Sequence, residues 1–318
     1  MFKTCLYLTV GLVLMVGLAP ITASKRAYFS GKYGIELDSL FAGQLNSCDG
    51  GGAGAPVVVE PTAGSFLQKK HIGNVKYEDI TVTCGTGMSK GMYNWIKDSF
   101  DHKHTRKNGA IIAADYNYGI KNRLTFTNAL ITEIGFPALD AASKDAAKMT
   151  IKLSPEVTRK VAVTDGSSIK PTVQKKWLPA NFRLKIDGLE EACARVNKIE
   201  AITLKQKAMS VPGGVETIEQ EVPNLVISCP ESSSKQLYDW FDDFVIKGQN
   251  GDEAEKGGTL VYLDNDLRTP LFTLTFKNLG IFKIIQDKLE AQADQVGRVK
   301  AEMYCEQIFF EYGPTIGQ

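Results

Sequence analysis

Histidine is scarce in this 318-residue chain, with only His71, His102 and His104, and the formal net charge is only +1. The first scarcity weakens most hydrolytic chemistry, because an α/β-hydrolase triad ends on its histidine and none lies beyond residue 104. The second removes the bulk field that draws proteins to nucleic acid or to anionic membranes. After residue 24 no apolar run approaches the roughly 20 residues of a helical membrane span. The glycine-rich Gly50-Gly-Gly-Ala-Gly54-Ala-Pro56 lacks the Gly-Lys-Ser/Thr of a phosphate cradle and reads as a flexible loop or bulge.

What is present is a repeat. Cys84-Gly-Thr-Gly-Met-Ser89-Lys-Gly-Met-Tyr93-Asn-Trp95 returns as Cys229-Pro-Glu-Ser-Ser-Ser234-Lys-Gln-Leu-Tyr238-Asp-Trp240, each landmark 145 positions on. Tyr33 to Leu40 answers Phe182 to Leu189, and Leu124-Thr-Phe-Thr-Asn128 answers Leu274-Thr-Phe-Lys-Asn278. Two copies of one domain of about 140 residues follow, within the ordinary domain range. The boundaries drawn are a signal peptide over 1–24, domain 1 over 25–165, a turn-rich linker over 166–176 and a divergent domain 2 over 177–318. The leader reading rests on Lys3, the apolar run ending at Ala19, and small residues before a cleavage point near Ala23 or Ser24. It implies a secreted or periplasmic protein with no membrane span after cleavage. In such a compartment disulfides form, and the equal 36-residue spacings Cys48 to Cys84 and Cys193 to Cys229 suggest one bridge per domain, leaving Cys305 over. Buried free thiols are the competing reading.

Alternating apolar positions mark strands at Lys32 to Asp38, Tyr77 to Cys84, Lys107 to Asp115, Arg123 to Ile134 and Ala147 to Ser154. Domain 2 offers Gly258 to Asp264, Leu271 to Phe282 and Val299 to Phe310. After Ser89, a helix cap, Met92, Ile96 and Phe100 form an apolar stripe with Tyr93 and Trp95 at its margins. Ser234 caps the matching helix, with Leu237, Phe241 and Val245 as its stripe and Tyr238 and Trp240 beside it. The fold class is mainly β with α (α+β): two tandem antiparallel sandwich or barrel domains, each with one principal helix.

Several chemical motifs fail on inspection. Gly87-Met-Ser89-Lys-Gly91 fits a nucleophile elbow, yet the second copy keeps neither glycine, and capping accounts for the serine. Ser232-Ser-Ser-Lys235 lacks its companion boxes. His102-Lys-His104 has no third ligand nearby, and Lys103, Arg106 and Lys107 read as an exposed turn or subunit contact. Trp95 and Trp240 read as core rather than as ligand platforms. No catalytic, metal or cofactor residue is assigned.

Gly73 to Val82, Met88 to Lys97, Arg106 to Ile111, Leu124 to Asp140 and Ile151 to Glu156 closely resemble the tail tube proteins of contractile phages and extracellular contractile injection systems. Phe136-Pro137-Ala138-Leu139-Asp140 is the most specific segment. The second half resembles the family more faintly and has Ile284-Ile-Gln-Asp-Lys there instead. The resemblance implies a β-sandwich or barrel with a flanking helix, six domains to a ring, and rings stacked into a tube. Ring closure removes the exposed strand edges that invite aggregation. The region from Gly50 to Pro56 and the arm after it look like the family's stacking parts. With two domains per chain, three chains would complete a pseudo-hexameric ring, partnered by baseplate or cap-like proteins. The alternative from another class is an exported monomeric binding module that keeps the fold without polymerising.

Overall fold

A computed structural model describes residues 31–61, 68–169, 176–210, 216–287, 297–314 and 316. The proposed signal peptide and most of the proposed linker lie outside these residues.

The first half contributes β1 (Lys32–Leu37), β2 (Leu40–Gly50), β3 (Ala53–Gly54), β4 (Val57–Pro61), β5 (Gln68–Ile72), β6 (Lys76–Tyr77) and β7 (Ile80–Met88). Helix α1 (Lys90–Phe100) follows, then β8 (Lys107–Ala114), β9 (Ile120–Phe136), β10 (Leu139–Asp140), β11 (Met149–Ser154) and β12 (Val157–Ala162). The second half is β13 (Phe182–Ile186), α2 (Glu190–Cys193), β14 (Lys198–Ile199), β15 (Ile202–Ser210), β16 (Glu216–Glu221), β17 (Leu225–Pro230), α3 (Lys235–Phe241), β18 (Lys256–Leu263), β19 (Pro270–Gln286) and β20 (Arg298–Tyr312). The fold is predominantly antiparallel β, as the alternation implies.

In the first half, β11, β7, β2, β1, β8 and β9 pair in order, and a further β9–β11 pairing closes the cycle. The second half repeats the pairings β13–β18–β19–β20–β17–β14 but stays open between β13 and β14. There α2 stands where the early part of β2 would close the barrel. The registers agree: Ile151 faces Ile134 as Ala301 faces Ile284, and Lys160 faces Leu124 as Phe310 faces Leu274. Strands β9 and β19 therefore match at an offset of 150. Both bulge at the same asparagine, with φ +53 at Asn128 and +55 at Asn278, a left-handed geometry that asparagine tolerates better than most residues. Each asparagine Nδ2 donates to a carboxylate 28 residues on, Glu156 at 2.6 Å and Glu306 at 2.7 Å.

Helix α1 begins where expected, with Met92 N donating to Ser89 Oγ at 3.4 Å. Its burial is wider than its stripe. Tyr93 and Trp95, placed by periodicity at the margins, are fully buried along with Met92, Ile96 and Phe100. The reason is tertiary: the helix is covered by the first half on one side and by β20 on the other. Helix α3 departs in three ways. Ser234 makes no side-chain cap and instead donates to Glu231 O at 2.7 Å. After Phe241 the helix widens into a π turn over Asp242–Ile246, which shifts the phase of the apolar stripe. Phe244 consequently enters the core, Phe241 is only partly buried and Val245 faces outward.

The expected disulfides are not formed, since Cys48, Cys84, Cys193, Cys229 and Cys305 are all free thiols. In the first half the register accounts for it: Cys48 faces Val82 while Cys84 faces Leu45, so the two thiols lie diagonally across an irregular stretch of β2. The glycine-rich segment is an ordered corner, with Gly50 and Gly51 at φ +85 and +76 leading into the short ladder β3–β6.

Candidate functional site: the seam between the halves

The two halves are joined by one antiparallel ladder. Asp140 faces Lys198 and Leu139 faces Ile199; Phe136 faces Ile202, Gly135 faces Thr203, Ile134 faces Leu204 and Glu133 faces Lys205. The register is continuous across the gap at Pro137 and Ala138, where proline has no N–H to give the ladder. The segment from Phe136 to Asp140 is thus the strand that the second half reads. Glu133 opposite Lys205 adds a cross-strand charge pair, and the buried Gln206 Nε2 donates to Ile131 O at 2.8 Å.

Behind the ladder lies an aromatic core built from both halves. Phe136 sits 5.5 Å from Tyr262, 5.8 Å from Phe310 and 6.2 Å from Phe272, ring centre to ring centre. Phe100 stacks on Phe310 at 5.4 Å and Tyr93 on Tyr312 at 5.3 Å. Trp177 closes the far side against Tyr262 and Phe272, each at 5.5 Å. Polar contacts fix α1 on β20: Tyr312 Oη donates to Asn94 Oδ1 at 2.8 Å, and Lys97 Nζ donates to Phe310 O at 3.4 Å. Beside the seam runs a groove of about 710 Å³ lined by both signs of charge, among them Lys152, Lys205, Glu133 and Glu219.

The proposed site residues distribute unevenly over this architecture. Tyr93 Oη donates to Thr86 O at 2.8 Å inside the seam. Trp95 and Trp240 play matching parts, each indole N–H donating to a backbone carbonyl, Thr105 O at 2.7 Å and Ala254 O at 3.3 Å. Tyr238, the counterpart of Tyr93, is 39 % exposed because nothing among the described residues covers it. Ser89 is a cap. The basic run is neutralised locally, Lys103 pairing with Asp98 and Asp101 and Lys107 with Asp38. Burial pushes the thiol of Cys84 up to about 12 and those of Cys48, Cys193 and Cys305 to about 11, the opposite of nucleophile activation. Among the described residues no cluster of three His, Cys, Asp or Glu side chains is arranged to hold a metal, and no helix is long and apolar enough to cross a membrane.

The seam also exposes what the sequence reading did not contain. Strands β15 and β16 pair antiparallel, and β15 extends the first half's sheet. Its signal was the alternation Ile202, Leu204, Gln206, Ala208, masked by a glutamine at a buried position.

The halves are thus joined through strand edges over a shared core. Residues 31–158 match the family of the T4-like virus tail tube protein gp19. The tail tube resemblance read from the residues is thereby shown for that segment. Among solved structures, the sheath-tube complex of the PVC extracellular contractile injection system aligns at 18 % identity over 44 % of this chain and 95 % of that one, with a TM-score of 0.39. The tube-terminating cap of the anti-feeding prophage aligns at 18 % identity over 46 % of this chain and all of that one, with a TM-score of 0.38. Hcp1 from Flavobacterium johnsoniae aligns at 13 % identity over 42 % of this chain and 95 % of that one, with a TM-score of 0.28. No curated protein gives a match.

Proposed function

We propose that the chain is a non-enzymatic structural protein that assembles into rings resembling tail tubes, with three chains per pseudo-hexameric ring and rings stacking outside the cytoplasm. The observation that carries this reading is the seam: the two halves of one chain join edge to edge in a ladder of continuous register, which we read as two tail-tube-like units side by side. The family match over residues 31–158 supports the tube-forming character. Duplication is supported by the repeated landmarks, the shared strand registers and the asparagine bulge common to β9 and β19. Export follows from the leader-like residues 1–24, and partners of baseplate or cap type from the family resemblance. Six units per ring divided by two units per chain gives three chains, closed by cyclic symmetry.

The test is negative-stain electron microscopy and mass photometry of residues 25–318 across a concentration series. Particles of three chains, or stacks of them, support the reading. Monomers at every concentration overturn it and leave the exported monomeric module as the better account.

A further inference from the structure

The seam inside the chain has two unfilled counterparts on its outside. The first is a strand edge. In the first half, the outer edge of residues 133–136 is taken by β15, whereas among the described residues no strand pairs with the outer edge of the equivalent residues 283–286 of β19. Phe282 and Ile285 on this stretch are 40 % and 39 % exposed. Beside them α3 and its π turn expose Tyr238, Val245 and Ile246, where the equivalent face of α1 is buried against β20.

The second is a socket. In the second half Tyr262, Phe272 and Phe310 receive Phe136 and α1. The registers Ala113 to Asn122 and Lys160 to Leu124 correspond to Tyr262 to Phe272 and Phe310 to Leu274. Ala113, Asn122 and Lys160 therefore occupy the same places in the first half. There they line an open groove of about 540 Å³ with Tyr33, Gly51 and Leu124. Nothing among the described residues fills it.

Resting on the ring reading, we propose that this groove receives the β19 end and α3 face of a second copy of this chain, making a head-to-tail seam that repeats the internal one. The register follows by counting. Cys48 faces Val82 on β7 as Ile199 faces Ile227 on β17, so Gly51 stands for Ile202 and Gly54 for Lys205. Lys283 of one chain then lies opposite Gly54 of the next, and Ile284 opposite Ala53. The chemistry of plug and socket changes together. In the internal seam aromatic plugs meet aromatic walls; in the external one Tyr238, Val245 and Gln286 meet Ala113, Asn122 and Lys160. On the α3 segment Asp239 pairs with Lys235, and Asp242 and Asp243 share Lys247, which leaves one net negative charge to face the strand carrying Arg159 and Lys160. The external seam is more polar, as suits chains that fold separately before they meet.

Cysteine cross-linking tests the register. In a Cys48→Ser background, a chain carrying Gly54→Cys is mixed with one carrying Lys283→Cys under mild oxidation. Both positions tolerate the change: a Cβ at Gly54 meets nothing within 4 Å, and Lys283 is exposed. Ile284→Cys replaces Lys283→Cys as the register control, because the ladder is regular between the two positions, Ile284 packs against the core while Lys283 is exposed, and a one-residue shift turns the side chain to the other face. The expected result is a cross-linked dimer that forms faster with Lys283→Cys than with Ile284→Cys, and a covalent trimer when Gly54→Cys and Lys283→Cys share one chain. The same samples are examined by electron microscopy. Rings without the cross-link overturn this seam and leave the ring reading standing; monomers without the cross-link overturn both.

Discussion

Replacing Phe136 by alanine should be among the most damaging single changes available. The ring is buried in the core shared by the two halves, in contact with Phe100, Tyr262, Phe272 and Phe310. Truncating a buried phenylalanine costs about 3–5 kcal/mol from lost transfer energy and the residual cavity. A value of about 4 kcal/mol is a large share of the ~5–15 kcal/mol that holds a typical domain together. Equilibrium urea unfolding, followed by the fluorescence of Trp95, Trp177 and Trp240, all buried, reads the loss as a lower midpoint. Protein concentration must be held fixed, because assembly adds stability by mass action. Gln286→Ala supplies the internal comparison. It removes the equivalent residue from the open half, where the side chain is exposed and donates only to Glu231 Oε1 at 2.7 Å, and should cost within about 0.5 kcal/mol. A loss below about 1 kcal/mol for Phe136→Ala, or equal losses at both sites, would refute the claim that the core lies between the halves.

Four further outcomes follow. Tyr262→Phe should be neutral or mildly stabilising, since its buried hydroxyl finds no partner among the described residues, whereas Tyr93→Phe should lose about 1 kcal/mol with the bond to Thr86 O; paired urea curves check both. Gly50→Ala should destabilise by more than about 1 kcal/mol, because its φ of +85 is strained for alanine and the new methyl strikes Asp79 O, while Gly54→Ala should be nearly silent. Alkali should weaken the fold: the thiols of the unfolded chain ionise near 9.0, while burial makes folded Cys84 hold its proton to about 12 and Cys48 and Cys193 to about 11. The unfolded chain then binds fewer protons, so stability falls from pH ~9 towards 12, and urea midpoints that stay level over that window would contradict it. Chains cut between residues 166 and 176 should give halves that aggregate alone and recover solubility when co-expressed, judged by gel filtration.

Much of the fold was legible because local pattern and tertiary environment agree. Met92, Ile96 and Phe100 announce α1, and Leu124 to Asn128 and Leu274 to Asn278 announce equivalent strands whose shared bulge lies at the matched asparagine. Tyr93, Trp95 and Trp240 read as helix core and are buried, whereas Tyr238, read the same way, is half exposed because nothing among the described residues covers it as β20 covers Tyr93. Val245 sits on the periodic stripe until a π turn moves Phe244 into its place. Equal cysteine spacings suggest bridges, but spacing does not reveal that Cys48 and Cys84 face different neighbours. The candidate site was half visible: Phe136 to Asp140 stood out by resemblance, while its pairing partner, residues 198–205, was hidden in β14 and the start of β15, whose alternation the buried Gln206 interrupts.

Joining two units in one polypeptide also changes the arithmetic of building a closed ring. Half of the six unit-to-unit junctions of the proposed ring form within a chain, where a short connection holds the partners at an effective concentration in the millimolar range. Only the remaining three depend on diffusion and on the amount of protein present. Because the internal junction never has to find its partner, it is free to be large, dry and permanent. The external one can stay weaker, so that a wrongly placed chain dissociates before a ring closes around the error.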